Sequence, residues 1–275
     1  MPTSRPALSY DVFVAPSKPA KAPPPLVGDP PAWDPITSTL IFGARDAVLV
    51  DALMTVREAT ALADWIELHD RQLTTIYVTH GHGDHYAGPS VVLDRFPDAR
   101  AVATAGTVDQ MRSGSATAHP YRAWFPGQIA DTITLAEPLD GRHFELEGFP
   151  LEVIETGQTD TAHSTALYVP DLGLVVSGDV AYNHCHMYVG GTTADRRAEW
   201  IAALDKLAAL NPKAVVTGHK DPTQGNPPSV LAESRGYIEY YGKLREAGLS
   251  DQGLFDAMVS RYPDWVSRQQ FLILG

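Results

Sequence analysis

The chain of 275 residues holds a single cysteine, Cys185, so no disulfide can form within it. That usage fits a reducing compartment. Basic residues are scarce: 21 Lys and Arg against 33 Asp and Glu leave a formal net charge of -12. Broad non-specific nucleic-acid binding needs a basic footprint and is disfavoured, although a local basic patch is not. No run approaches the roughly 18 consecutive apolar residues of a membrane helix. The N-terminus lacks the basic segment and apolar core of a secretory signal. These absences lead us to expect a cytoplasmic protein, monomer or homodimer, with a small-molecule substrate and neither nucleic acid nor membrane as partner. Hydrophobic and charged contents of 44% and 20% are those of a globular chain.

What the chain does have is a dense knot of imidazole and carboxylate. Thr79-His80-Gly81-His82-Gly83-Asp84-His85 places three His and one Asp within six residues. The run Leu73–Val78 before it reads as a buried strand ending at the cluster. Gly81 and Gly83 are expected to free the backbone so that the loop turns its side chains inward. Imidazole with carboxylate suits a borderline divalent ion: zinc, iron or manganese.

Around this knot the chain alternates strands and helices. Residues 1–35 carry ten prolines and cannot be helical. Within them Tyr10–Val14 reads as an edge strand, and Trp33 with the apolar residues around Val27 suggests a tail that docks beside the site. Residues 36–42 and 47–51 read as a hairpin, 56–69 as a helix, 73–78 as a strand, 86–96 as a helix and 101–103 as a strand. Residues 105–131 read as a helical excursion broken near Ser113-Gly114-Ser115 and His119-Pro120. Short strands are expected at 132–135, 143–146, 151–154, 166–169 and 174–177, and a helix at 196–209. A strand at 214–216 precedes helices at 229–246 and 250–261. Helices covering sheets give an α+β class. We divide the chain into a proline-rich extension (1–35), a catalytic domain (36–222) and a C-terminal helical segment packed on it (223–275).

A metal site needs ligands from more than one loop. Three further candidates stand at strand ends beside small residues: His163, Asp179 in Ser177-Gly178-Asp179, and His219 in Thr217-Gly218-His219.

With these residues in hand the chain resembles the metallo-β-lactamase superfamily. His80-Gly81-His82-Gly83-Asp84-His85 matches its H-x-H-x-D-H signature, and Gly178-Asp179 and Gly218-His219 match its later motifs in order. The resemblance spans roughly residues 36–222. It implies a four-layer αββα sandwich with a dinuclear site, two Zn2+ with Fe or Mn as alternatives, at one edge. It assigns His80 and His82 to the first ion, Asp84, His85 and His219 to the second, and Asp179 to both. Asp51 corresponds to the family's acid behind a ligand His, where it would fix the tautomer. The third His of the first ion is normally in Gly-His-Thr, but here the position reads Gly157-Gln158-Thr159. Gln is a poor zinc ligand, so His163 is expected to take over, with Gln158 left to bind substrate or water.

His184 and His186 follow Asp179 closely. His186 is expected to line the pocket as substrate contact or proton donor, with Tyr182 and Tyr188 as alternative hydroxyl donors to an oxyanion. Cys185 lacks a base-plus-orienter set and is not expected to be a nucleophile. His69, His119 and His143 read as structural or surface residues, and Lys220 as solvated. The expected chemistry is hydrolysis of an ester, lactone or thioester by a metal-activated water, with Asp84 orienting it and carrying its proton. The alternatives are a mononuclear iron oxidoreductase of the same fold, persulfide-dioxygenase-like, a phosphodiesterase, and a non-catalytic binding module.

Overall fold

In the computed structural model, which describes residues 7–21, 32–116, 119–268 and 270–272, the chain begins with β1 (Ser9–Ala15). A two-stranded pair, β2 (Lys18–Pro19) and β3 (Ala32–Trp33), leads into β4 (Ile36–Phe42) and β5 (Asp46–Val50). Helix α1 (Val56–Glu67), closed at its start by a reciprocal Thr55–Glu58 cap, crosses to β6 (Gln72–Tyr77). Two short helices, α2 (Gly83–Tyr86) and α3 (Pro89–Arg95), precede β7 (Arg100–Ala103). The excursion forms α4 (Ala105–Ala116) and α5 (His119–Trp124) before β8 (Glu137–Pro138). Strands β9 (His143–Leu146), β10 (Phe149–Gly157), β11 (Ser164–Val169) and β12 (Leu174–Val176) make an antiparallel meander. A 3-10 turn at Gly178–Val180 and β13 (Tyr182–Asn183) lead to α6 (Ala194–Ala208), β14 (Ala214–Val216) and β15 (His219–Lys220). Helices α7 (Val230–Glu246) and α8 (Asp251–Arg261) follow.

The strands pair into two large sheets. One runs β13-β15-β4-β5-β6-β7-β8, with β1 also on β4, and its β5-to-β8 portion is parallel. The other runs β14-β12-β11-β10-β9. Alternate residues of their strands belong to different cores, because successive side chains leave opposite faces. Leu40, Leu49 and Ile76 pack outward with Leu62 and Ile66 of α1. Ile41, Val48, Val50 and Tyr77 turn inward, where they meet Leu151, Leu167, Val169, Val176 and Val216 of the second sheet. Val175 and Val215 leave that sheet's other face toward Trp200 and Leu204 of α6 and Tyr237 of α7. The result is helix, sheet, sheet, helix: the expected αββα sandwich.

Three local expectations need correction. Residues 132–135 form no strand; Ile133 and Leu135 pack onto the helix-side core, and pairing resumes only at β8. The helix expected over 86–96 is two helices, divided where Gly88-Pro89 removes a backbone donor. Ser113-Gly114-Ser115 does not interrupt α4. The N-terminal arm docks as expected: β1 pairs with β4 along its length, and Lys18 Nζ reaches Glu58 Oε1 at 2.5 Å. Val27 and its neighbours lie outside the described residues, as does the side chain of His119.

Candidate metal centre

The His-rich loop leaves the C-terminal end of β6, where parallel sheets present their ligands. Asp179 follows β12, and His219 opens β15 just after β14. Two glycines let these loops approach. Gly178 has φ +51°, and a Cβ there would stand 2.6 Å from Thr79 Oγ1. A Cβ on Gly218 would stand 2.0 Å from Asp179 Oδ1. Gly81 and Gly83, by contrast, have no positive φ; they are small because Gln110 and Tyr121 press on them.

Donor atoms gather in groups whose members all lie within 4.8 Å of one another: His80, His82, Asp160 and Asp179 in one, Asp84, His85 and His219 in another. His82 Nδ1 stands 2.7 Å from Asp160 Oδ2, and His80 Nε2 is 3.7 Å from the same oxygen and 3.8 Å from Asp179 Oδ2. On the other side His85 Nε2 is 3.3 Å from Asp179 Oδ1, and His219 Nε2 is 3.2 Å from Asp179 Oδ2 and 3.4 Å from Asp84 Oδ2. Asp179 thus faces both groups.

Asp51 ties the loop from behind. Its carboxylate accepts from the backbone N–H and hydroxyl of Thr79, both at 2.8 Å, and from His85 Nδ1 at 3.0 Å. Since the Thr79 hydroxyl donates to Asp51, His80 Nδ1 donates to it in turn at 2.9 Å. His219 Nδ1 donates to the Pro35 carbonyl at 2.9 Å. All three rings therefore hold a proton on Nδ1 and turn Nε2 inward, the orientation a metal ligand requires.

The inward atoms do not satisfy one another. His80 Nε2, His85 Nε2, Asp160 Oδ2 and Asp179 Oδ1 are buried without a well-formed hydrogen bond. Buried polar atoms are rarely left so, and this set of imidazole and carboxylate donors fits divalent cations. The acids also reverse the effect of burial. Burial alone would lower the pKa of His85 and His219, but Asp179 and Asp84 outweigh it and hold both well above the ordinary imidazole value. Burial likewise acts against ionised Asp179, but His219 and His85 hold its carboxyl well below the usual range. His80, where burial wins, is lowered.

A pocket of about 170 Å³ opens onto this edge. The arm supplies Trp33, whose indole N–H donates to Asp84 Oδ2 at 3.1 Å, and the buried Asp34. Tyr121, Trp124, Tyr182 and Tyr188 complete its aromatic side.

The family model of the metallo-beta-lactamase superfamily matches residues 31–219. The chain belongs to this superfamily. A hydroxyacylglutathione hydrolase of Parasynechococcus marenigrum is 29% identical over 187 residues, which is 66% of this chain and 64% of that protein. One from Halorhodospira halophila is 27% identical over 180 residues, 64% of this chain and 58% of that protein. The chain thus spans less than two thirds of either relative's length. Among solved structures, a metallo-beta-lactamase family protein from Thermus thermophilus aligns with a TM-score of 0.65 at 19% identity, covering 95% of this chain and 91% of that one. A metallo-beta-lactamase from Pontibacter korlensis aligns at 0.60 and 18% identity, over 86% and 96% of the two chains. At those identities the likeness concerns the fold.

Two expectations are overturned by the geometry. His163 does not join the superfamily's donor edge. It is exposed, has φ 56°, and lies against Gly106, where a Cβ would stand 2.8 Å from its Cγ. Asp160 stands in its place, two residues beyond Gln158, whose own amide turns back to the Thr159 carbonyl at 2.9 Å. The sequence offers only an acid in the loop that lacks the expected imidazole, and nothing in it says which way that acid points. His186 does not line the pocket either. It is buried among Tyr237, Tyr262, Trp265 and Phe271, with Nδ1 2.9 Å from the Tyr237 hydroxyl. Tyr182 does reach the site, but its hydroxyl already donates to Asp179 Oδ2 at 2.9 Å. His69 and His184 sit on Trp65 and Trp265, and His143 is exposed on β9. Lys220 is not solvated: its Nζ donates to the Gly225 carbonyl and Asn226 Oδ1.

Proposed function

We propose that the protein is a metal-dependent hydrolase acting on a small ester, lactone or thioester. The observation that carries this reading is the set of orphaned, inward-facing donor atoms on His80, His85, Asp160 and Asp179. His80, His82 and Asp160 would hold one divalent ion, Asp84, His85 and His219 the other, with Asp179 shared. When bound, such a pair supplies an activated water at neutral pH and positive charge for the developing oxyanion. Asp84, whose Oδ2 accepts from the Trp33 indole at 3.1 Å, would take the proton of the attacking water and pass it to the leaving group. Tyr182, held to Asp179, orients that carboxylate rather than donating a proton. The Asp51–Thr79 relay keeps two imidazoles in the ligand tautomer. The relatives' name, hydroxyacylglutathione hydrolase, supports a thioester or a related acyl bond.

A second reading rests on Asp160. Two imidazoles and a carboxylate are the donor pattern of mononuclear iron oxygenases. The intact Asp84, His85 and His219 group weighs against it, because one iron leaves those donors without a task. The test is the metal content of protein purified without added metal, together with ester, lactone, thioester and phosphodiester substrates. About two divalent ions per chain with acyl-bond hydrolysis is expected. One iron with oxygen consumption would overturn the hydrolase.

A further inference from the structure

The walls of the pocket carry a second message, about which substrates are turned away. Trp33 packs on Tyr121 and Trp124 with ring centroids 5.5 Å apart in both cases, and on Phe125 at 5.8 Å. Tyr121 and Trp124 are themselves 6.0 Å apart. The rings pack on one another as one continuous wall. Tyr188, half-buried, also lines the pocket, with its ring 6.1 Å from that of His82. The cavity of about 170 Å³ is small beside the roughly 300–1,000 Å³ of pockets that take drug-sized ligands.

Charge sharpens the picture. Among the described residues, and apart from the candidate metal donors, Asp34 is the only charged residue that lines the pocket, and no Lys or Arg does. Two cations on neighbouring elements have partners elsewhere, while Lys21 is exposed beside Trp124, whose carbonyl its backbone N–H reaches at 2.9 Å. Lys220 turns to Gly225 and Asn226, and Lys18 pairs with Glu58. The stretch 22–31, between the two strands of the arm, contains no Lys or Arg. An aromatic face is the negative pole of the ring's quadrupole. An anionic substituent on the non-reacting part of a substrate, held away from the metal donors, would therefore meet π faces and Asp34 and no lysine or arginine among the lining residues. A flat neutral group would displace water and stack.

We propose that this pocket selects small acyl substrates whose non-reacting part is uncharged and flat or compactly apolar, with Trp33, Trp124 and Tyr188 as specificity-determining residues. The inference rests on the hydrolase reading. The reaction is ester plus water giving acid plus alcohol: an oxygen–acyl bond forms, the ester bond breaks, and the alcohol leaves with a proton. Glutathione carries two carboxylates and one ammonium group, so a glutathione thioester falls outside this class, in contrast to the substrate in the relatives' name.

The test compares 4-acetoxybenzamide with 4-acetoxybenzoate, which share the scissile bond and shape and differ by one charge. At least a tenfold higher kcat/KM for the amide is expected, and a smaller ratio or a preference for the anion overturns the proposal. Tyr188→Lys should shrink the ratio at least fivefold by supplying the missing cation; an unchanged ratio in a folded variant with normal metal content also overturns it. Quenching of tryptophan fluorescence by the non-hydrolysable 4-acetamidobenzamide and 4-acetamidobenzoate separates this proposal from the reading it rests on. If neither ester is hydrolysed and the lactone and thioester substrates are also left intact, the hydrolase reading falls, while tighter binding of the neutral amide still supports the selection and equal binding ends it.

Discussion

Two neighbourhoods of this protein bury imidazoles, and they come out opposite. At the sandwich edge His85 and His219 are surrounded by Asp84 and Asp179, which push their proton affinity up against the effect of burial. Under α7, His186 is surrounded by Tyr237, Trp265 and Phe271; burial pushes its pKa down to about 4, only partly offset by the Tyr262 backbone. A buried histidine is thus a core residue or a site residue according to the carboxylates around it. The sequence His184-Cys185-His186 carries ligand-type residues as densely as the signature loop does. His184 has Glu233 of α7 at 3.8 Å, but among the described residues His186 has no acid brought to it from another element.

The comparison can be broken most sharply at Asp179. Asp179→Asn removes the carboxylate that faces both donor groups. Metal content should fall from about two ions per chain to less than one, with a loss of activity beyond the roughly 10–100-fold typical of outer partners. Elemental analysis of the purified variant checks it, and full occupancy would show that Asp179 is not shared. Asp160→Ala tests the first donor group alone. About one ion should be lost, whereas His163→Ala should lose none. The opposite pattern would restore His163.

Thr79→Val cuts the relay between His80 and Asp51 without touching a donor atom. Metal affinity should weaken roughly 10–100-fold, read by competition with a chelating dye. An unchanged affinity would mean that the tautomer needs no such help.

The aromatic neighbourhood is tested by pH. The folded pKa of His186 is about 4, while an unfolded histidine titrates near 6.5. Between these values the unfolded chain binds the extra proton. The contribution is therefore fully present above pH 6.5 and is lost as pH falls toward 4. The full loss is on the order of 3 kcal/mol. Urea titrations at several pH values should show it in the parent and not in His186→Phe. Parallel curves would remove His186 as the cause.

The layers of the fold could be read from the chain because unbroken apolar strands buried on both faces leave few arrangements other than a sandwich. Ile41 and Leu40, or Val48 and Leu49, announce two cores by alternation alone. The His80–His85 knot and the strand-end positions of Asp179 and His219 were legible for the same local reason. Asp160 was not, because a ligand is chosen by where a loop points, and the path from Gly157 to Ser164 depends on a register shift in the β10–β11 pairing. His186 misled because proximity in sequence to Asp179 says nothing about the face on which a side chain emerges. Strand 132–135 failed because its apolar residues pack without pairing.

The bond from His219 to the Pro35 carbonyl spans 184 residues, and that from Trp33 to Asp84 spans 51. Contacts so distant in the chain form late, after the loops between them have closed. A growing polypeptide that has not yet released residue 219 can offer the donors of His80, His82, Asp160 and Asp179 but not the second set. Under the two-ion reading proposed above, a complete second donor group would then be the mark of a finished molecule.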